Sequence, residues 1–353
     1  MAIDIGDYKM KKIGICGHFA QGKDFFDGQT VKTKIVTREL LYYFGKNNIE
    51  CVDTFGGRKK IIKKIVSTVG LLKKCKNVII LPAQNGILAF VPTLAIANKI
   101  YKKNLHYMVV GGWLPEFVEK RKWLIPFLKS FNYIYVETSS MKLKLKKLGL
   151  HNVIVIPNFK QLNILNEEEL IYPEEEPLKL CTFSRVMKEK GIEEAIAAIR
   201  EVNRESNNVR VLLDIYGQVD SNQIEWFEQL QNSFPDYVKY RGVVPFDEST
   251  EVLKHYFALL FPTYYEGEGF AGTLIDAMAA GVPVIASDWK YNSEIVHNGE
   301  NGIVIKDGES LTDLIYWILD NKQQWNSMRK TVIAEAEKYL PRNALKQLVL
   351  FLD

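Results

Sequence analysis

The stretch LFPTYYEGEGFAGTLIDAMAAGVPVIAS, residues 260–287, decides how the chain is read. An apolar run ends at Pro262 and a glycine-rich loop follows. From Ala271–Thr273 the spacing predicts a helix with Leu274 and Met278 on one face, stopped at Gly281. Pro283 then opens another short apolar run, the mark of a buried strand. Glycines ahead of a helix free its first N–H groups to approach an anion, which the helix dipole also favours. Glu268 and Asp276 stand eight residues apart, one in the loop facing a ligand and one about a turn inside the helix. So placed, the two acids can grip two hydroxyl-bearing groups at once. Carboxylates near a helix start also serve as caps, so each acid taken singly stays open between the two roles.

Working outward, short apolar runs alternate with helical periodicity along the whole chain, the pattern of an α/β architecture with parallel strands. KKIGICG (11–17) reads as a strand ending in a glycine loop, and Thr30 to Phe44 as a helix with Ile35, Leu40 and Leu41 on its apolar side. NVIILPA (77–83), LHYMVVGG (105–112), YIYVET (133–138) and NVIVIPN (152–158) read as further strands, with the basic helix SSMKLKLKKLGL before the last of them. Residues 161–177 include NEEEL and YPEEEP, acidic and Pro-flanked, and are expected to form a linker. The pattern restarts with LKLCTFSR (178–185), VRVLLDIYG (209–217), VKYRGVV (238–244) and ALLFPT (258–263). The expected domains are therefore 1–160 and 178–335, followed by a helical segment at 336–353, interrupted at Pro341, with room to pack back on the first domain.

Of the 353 residues, 47% are hydrophobic and 25% charged, ordinary for a folded protein of two moderate domains. Four cysteines without metal-ligand spacing suggest small buried thiols in a reduced, cytoplasmic chain. Residues 1–12 carry acids and no apolar core, so they read as a short tail rather than a secretory signal. Asn77 to Asn98 is uncharged for 22 residues, but Pro82, Asn85-Gly86 and Pro92 break it into a buried strand, a turn and a buried helix. The net charge of +4 conceals a reversal: residues 1–160 carry +18 and residues 161–353 carry −14. The basic half is suited to an anionic surface such as phospholipid headgroups or a phosphorylated acceptor; two solvated faces steadying each other would give the same sum.

The span at 260–287 resembles the E-x7-E signature region of retaining glycosyltransferases of family 4, which have the GT-B fold: two Rossmann-like domains whose parallel sheets face each other across a cleft. Here the signature is an E-x7-D variant, Glu268 and Asp276, with Glu266 offering an alternative register. CTFSRVMKEKGIEEAIAAI (181–199) resembles the family's SRxxxxKG segment, and VIPNF (155–159), DIYG (214–217) and YRGVV (240–244) follow its order. The resemblance implies that Glu268 contacts the donor sugar and Asp276 the ribose. Arg185 and Lys190 would neutralise the departing diphosphate, which two cations at a strand end and helix start are placed to do. The start at Gly269, Phe270, Ala271, Gly272 and Thr273 would face the donor phosphates, Gly28 would approach them from the other domain, and the backbone at Val243 and Val244 would hold the base. No Asp-x-Asp occurs, in keeping with a metal-independent site.

The amino-terminal half is the family's acceptor side. Where many members place a His, this chain has Gly111, Gly112 and Trp113; the glycines allow close approach of a sugar, and Trp113 serves either stacking or the core. His106, inside a strand, reads as a core residue. The implied activity is retaining transfer from a UDP-sugar or GDP-sugar to a saccharide acceptor, lipid-linked, in surface polysaccharide synthesis such as capsule or O-antigen. The enzyme would work in the cytoplasm, peripheral on the inner face of the cell membrane, with no cofactor. Two rivals share the architecture: a UDP-sugar 2-epimerase, for which five histidines offer no evident proton-shuttle set, and a non-catalytic nucleotide-sugar-binding partner of another transferase.

Overall fold

The computed structural model describes residues 12–20, 28–56, 61–206 and 208–353. The tail before Lys12, part of the first glycine loop (21–27) and the basic cluster Arg58-Lys59-Lys60 lie outside them. The chain forms two compact units, Met1–Pro157 with Pro341–Asp353, and Asn158–Leu340.

The first unit runs β1 (Ile13–Gly17), α1 (Gly28–Phe44), β2 (Ile49–Asp53), α2 (Ile61–Lys74), β3 (Asn77–Ile80), α3 (Ile87–Tyr101), β4 (Asn104–Met108), α4 (Leu114–Glu119), α5 (Ile125–Lys129), β5 (Tyr133–Val136), α6 (Ser139–Lys147) and β6 (Val153–Val155). Its sheet is parallel throughout, in the order β2-β1-β3-β4-β5-β6. β1 and β3 are buried on both faces, which is why, apart from Asn77 at the start of β3, they read as unbroken apolar runs.

The second unit runs β7 (Leu178–Phe183), α7 (Ile192–Glu205), β8 (Val211–Tyr216), α8 (Ile224–Gln231), β9 (Val238–Gly242), α9 (Ser249–Leu253), β10 (Ala258–Phe261), α10 (Gly272–Ala279), β11 (Val284–Ser287), α11 (Asn292–Ile295), β12 (Gly302–Ile305), α12 (Leu311–Asp320), α13 (Lys322–Ser327) and α14 (Arg329–Ala336). This sheet is also parallel, in the order β12-β11-β10-β7-β8-β9. α7 shows how its helices are bound to it: Ile192, Ala195, Ile196, Ile199 and Val202 recur at helical spacing and are all buried. The remaining helices, α15 (Pro341–Ala344) and α16 (Lys346–Leu352), belong to the first unit, where Leu352 O accepts from Asn77 Nδ2 at 2.7 Å and Phe351 stacks on Tyr133. Pro341 opens α15 rather than interrupting a helix, a position where its missing N–H costs nothing.

Four further features differ from the sequence reading. β2 and β12 escape it because both are sheet edges, one interrupted by Glu50 and the other only four residues long. Residues 161–177 are not a free linker but part of the second unit. Glu167–Glu169 form a solvent-facing 3-10 turn, while Leu165 and Leu170 turn inward onto Ile333 and Leu165 N–H donates to Ala279 O at 3.0 Å. α3 is only half buried: Phe90, Val91, Leu94 and Ala95 face inward, whereas Leu88, Ile96 and Ile100 are exposed. Among the described residues no helix is long and apolar enough to cross a membrane. Cys51, on the edge strand, is exposed while Cys16, Cys75 and Cys181 are buried.

Candidate functional site

The second unit gathers its polar side chains at the carboxyl ends of β7, β8 and β10, where parallel α/β sheets bind ligands. Two glycines allow the strand ends to converge. Gly217 (φ +133°) packs on Ser184 O, and Gly191 (φ +74°) packs on Pro262 O; a Cβ at either would collide with backbone. Gly191 follows a 3-10 turn at Lys188–Lys190 and brings Lys190 against the loop after β10. There the Lys190 ammonium pairs with Glu268, both buried, and Thr263 Oγ1 donates to Glu268 Oε2 at 3.0 Å. The same ammonium sits 5.3 and 5.2 Å from the ring centres of Phe261 and Tyr265, so its charge is held by aromatic faces as well. Arg185, two residues past the end of β7, is half exposed, with its guanidinium 3.3 Å from Asp220.

α10 begins without a side-chain cap: Ala271 is its N-cap residue and makes no capping hydrogen bond. Its first turn is fixed from outside. The Thr273 hydroxyl donates to Phe183 O, and Asn158 Nδ2 donates to Phe270 O at 2.9 Å. Ala271, Gly272 and Thr273 line the cavity, so the uncapped helix start borders it, as helix starts that hold anions do. Asp276, one turn on, is held from two directions. Lys160 Nζ donates to Oδ1 and Oδ2 at 2.6 and 2.5 Å, and Ser249 Oγ donates to Oδ1 at 2.9 Å. Burial pushes the Asp276 carboxyl above the usual aspartate range, and the Lys160 ammonium and Ser249 hydroxyl oppose it.

A single cavity of about 330 Å³ is lined by Arg185, Lys190, Val243, Val244, Glu268, Ala271, Gly272, Thr273 and Asp276, nine of the residues singled out from sequence. Gly269 and Phe270 are buried in the loop behind it. The alternative acid, Glu266, is exposed and pairs with Lys290 at 2.7 Å, so Glu268 is the acid that lines the cavity. The remaining expected residues lie in the first unit. Gly28 opens α1; Gly111 (φ +84°) donates its N–H to Glu137 at 3.2 Å, beside the buried Lys32–Glu137 ion pair. Gly112 is buried. Trp113 Nε1 donates to Val110 O at 2.8 Å and its ring meets the edge of Phe117, a packing role. His106 is a satisfied core residue, bonded to Tyr135 OH at 2.9 Å.

Sequence reasoning missed Lys160, Tyr216, Thr263 and Ser249. Lys160 directly follows VIPNF and was within reach of it; Ser249 carries no local signal, being brought to Asp276 only by the fold. With three cations, two buried acids and a helix start around one cavity, the site can hold an anion beside a polyhydroxyl group.

Residues 177–321 match the family model described as glycosyl transferases group 1. An uncharacterised glycosyltransferase of Methanocaldococcus jannaschii is 26% identical over 170 residues, 47% of this chain and 41% of that protein. The capsular polysaccharide biosynthesis glycosyltransferase CapM of Staphylococcus aureus is 24% identical over 279 residues, 72% of this chain and 70% of that protein. The first curated relatives are longer proteins, of which the chain spans less than half. Among solved structures, Anabaena HepE in complex with UDP superposes with a TM-score of 0.74 at 15% identity, covering 97% of this chain and 99% of that one. The fold is thus the GT-B fold, and the part of the chain that resembles group 1 glycosyltransferases lies in the second unit.

Proposed function

We propose that the chain is a retaining glycosyltransferase of the family 4 type, moving a sugar from a UDP-sugar or GDP-sugar to a saccharide acceptor in surface polysaccharide synthesis. The observation that carries this reading is the buried Lys190–Glu268 pair, which shares one cavity with Arg185 and the uncapped start of α10. A sugar nucleotide has three parts, and the cavity offers a partner for each. Its diphosphate faces the amides of Gly272 and Thr273 together with Arg185 and Lys190. Its sugar hydroxyls face Glu268, and its ribose lies toward Asp276, with the base against Val243 and Val244.

As the glycosidic bond lengthens, negative charge develops on the diphosphate and positive charge on the sugar ring. Arg185 and Lys190 stabilise the first, Lys190 from a buried position and Arg185 from the open rim of the cavity. The phosphate draws Lys190 toward itself, which leaves Glu268 free to accept from the sugar hydroxyls and fix the ring. The acceptor attacks the face the diphosphate leaves, through a short-lived oxocarbenium-like ion pair, so configuration is kept. No divalent metal is required, because these cations and the helix start already supply the charge.

The acceptor falls to the first unit, and a lipid-linked saccharide suits it. Residues 54–115 contain eleven Lys and Arg and no acid, and α3 of that stretch exposes Leu88, Ile96 and Ile100. Basic and apolar groups on one stretch favour a cytoplasmic enzyme peripheral on an anionic membrane. The test is a thermal-shift panel of UDP, GDP and their sugars, followed by a donor-hydrolysis assay. A ligand at about 100 times its Kd adds about 2.7 kcal/mol. Stabilisation by a nucleoside diphosphate with release of that diphosphate from its sugar supports transfer. Stabilisation without release overturns the transferase reading and identifies a binding partner of another transferase; the absence of both overturns the donor site itself.

A further inference from the structure

The acid expected to meet the ribose does not meet the cavity alone. Asp276 is almost fully buried, with 3% of its side chain exposed, while Lys160, clamped across both its oxygens, is 25% exposed and lines the cavity. What a ligand first touches at this place is an ammonium. Counting donors shows what the pair has left to offer. A lysine ammonium carries three N–H groups and a carboxylate about four lone-pair sites. Lys160 directs two donors to Oδ1 and Oδ2; Ser249 occupies a second site on Oδ1. One N–H of Lys160 and one lone pair on Oδ2 remain, a donor and an acceptor side by side. That is the complement of two neighbouring hydroxyls, one giving its proton to Oδ2 and the other receiving the lysine N–H through its oxygen.

We propose that Lys160 is a specificity-determining residue that reads, jointly with Asp276, the vicinal 2′,3′-diol of the nucleotide's ribose; this rests on the donor-site reading given above. The arrangement also accounts for an aspartate at this helix position. The shorter side chain leaves room for an ammonium between the acid and the cavity, and Asn158, two residues before Lys160, ties the same segment to Phe270 O at 2.9 Å. Lys160 N–H in turn donates to Tyr339 O at 3.1 Å, so the backbone that carries the lysine is fixed on both sides.

The experiment measures the affinity of the intact chain for UDP and GDP and for their 2′-deoxy counterparts by calorimetry, in the wild type, Lys160→Met and Lys160→Arg. The wild type is expected to bind the ribonucleotide at least about tenfold more tightly, the weight of one hydrogen bond to a charged group. Lys160→Met is expected to lose most of that ratio, and Lys160→Arg to keep part of it. The ratio is taken within each variant, so a partly unfolded sample lowers both affinities alike and leaves it unchanged. Should Lys160→Met not fold, Lys160→Gln retains an amide donor for Asp276 without the ammonium. Wild-type binding with no preference for the ribonucleotide overturns the inference while leaving the donor site standing. Equal weakening of ribo- and deoxynucleotide in Lys160→Met, growing from UMP to UDP and fading with salt, also overturns it and assigns the lysine to phosphate. Failure of the wild type to bind either diphosphate removes the donor-site reading itself.

Discussion

Arg185 and Lys190 share a proposed role toward the leaving diphosphate, yet their surroundings require that their loss be felt differently. Lys190 and Glu268 are 9% and 8% exposed at the side chain, so Lys190→Met leaves a buried carboxylate with only the Thr263 hydroxyl and its neighbouring dipoles for company. Removing one partner of a buried ion pair costs about 3–5 kcal/mol. The second unit is about 180 residues, a size at which each kcal/mol moves Tm by about 2–4 °C, so a fall of about 6 °C or more is expected. Converting the partner as well, in Lys190→Met with Glu268→Gln, removes the stranded charge and should recover most of that loss without recovering turnover. Arg185, with 53% of its side chain exposed beside Asp220, has no such burden. Arg185→Ala should melt within a degree or two of the wild type. Both single variants should nevertheless lose about 10²–10³ in turnover, the usual effect of deleting one preorganised donor to developing charge. Differential scanning calorimetry and a nucleoside-diphosphate release assay on the same preparations separate the two quantities. Wild-type Tm and turnover in Lys190→Met would refute both the buried pair and its catalytic use. An Arg185→Ala enzyme that turns over normally would remove the leaving-group role from that residue alone.

Glu268→Gln should bind the nucleoside diphosphate nearly as well as the wild type while turning over more slowly, and Asp276→Ala should weaken nucleotide binding itself; swapped phenotypes in calorimetry would show that the two acids are assigned the wrong way round. Activity should survive exhaustive chelation, and a strict need for added divalent metal would contradict the charge scheme built on Arg185, Lys190 and α10. His106 is held neutral by burial, its pKa lowered from 6.5 to about 4, so the unfolded chain takes up a proton at higher pH than the folded one. Stability from this group is therefore lost as pH falls through that window, by about 2 kcal/mol between pH 7 and pH 5; urea unfolding should show a shallower pH slope for His106→Gln, and equal slopes would count against it. Sedimentation with vesicles should require anionic lipid, fall as salt is raised, and weaken in Lys63→Glu with Lys73→Glu, each cation near the surface contributing about 1 kcal/mol; equal recovery with neutral vesicles would favour a soluble acceptor.

How much of this was legible in the sequence follows from how local each cause is. The central strands could be read because a strand covered on both faces is apolar nearly throughout, as IGICG is and NVII is after Asn77, whose amide is hydrogen-bonded to Leu352 O. The edge strands IECVD and GIVI could not: an edge tolerates Glu50 and Asp53, and four residues leave no period to detect. The helix start at 271–273 was legible because glycine and the strand-loop-helix order are local signals. Its actual fastening, by Asn158 to Phe270 O and Thr273 to Phe183 O, joins positions 112 and 90 residues apart. The leucines of 161–177 illustrate the opposite error. A short acidic stretch without period is scored as linker, although two buried leucines suffice to bind it to α14.

The same distinction governs the site. Arg185, Lys190, Glu268 and Asp276 were found because each stands in a motif of fixed spacing, and the structure brings all four to one cavity. Motif spacing, however, names residues without stating their partners. Lys190 lies on Glu268, and Asp276 lies beneath Lys160, so the charges a ligand meets differ from those the motifs list. A cation and an acid read separately from sequence predict two contacts of opposite sign. Paired in a buried site they form one polar surface whose sign depends on which member is exposed. At Asp276 that member is the lysine; at Glu268 neither is, so a ligand reaches that acid only by opening the pair. In the reading proposed above, ligand binding is an exchange of partners: Lys190 turns from Glu268 to the diphosphate, and the sugar hydroxyls take its place on the carboxylate. Each buried acid of the site meanwhile stands beside an ammonium, Asp276 with Lys160 and Glu268 with Lys190, and neither charge is left unpaired.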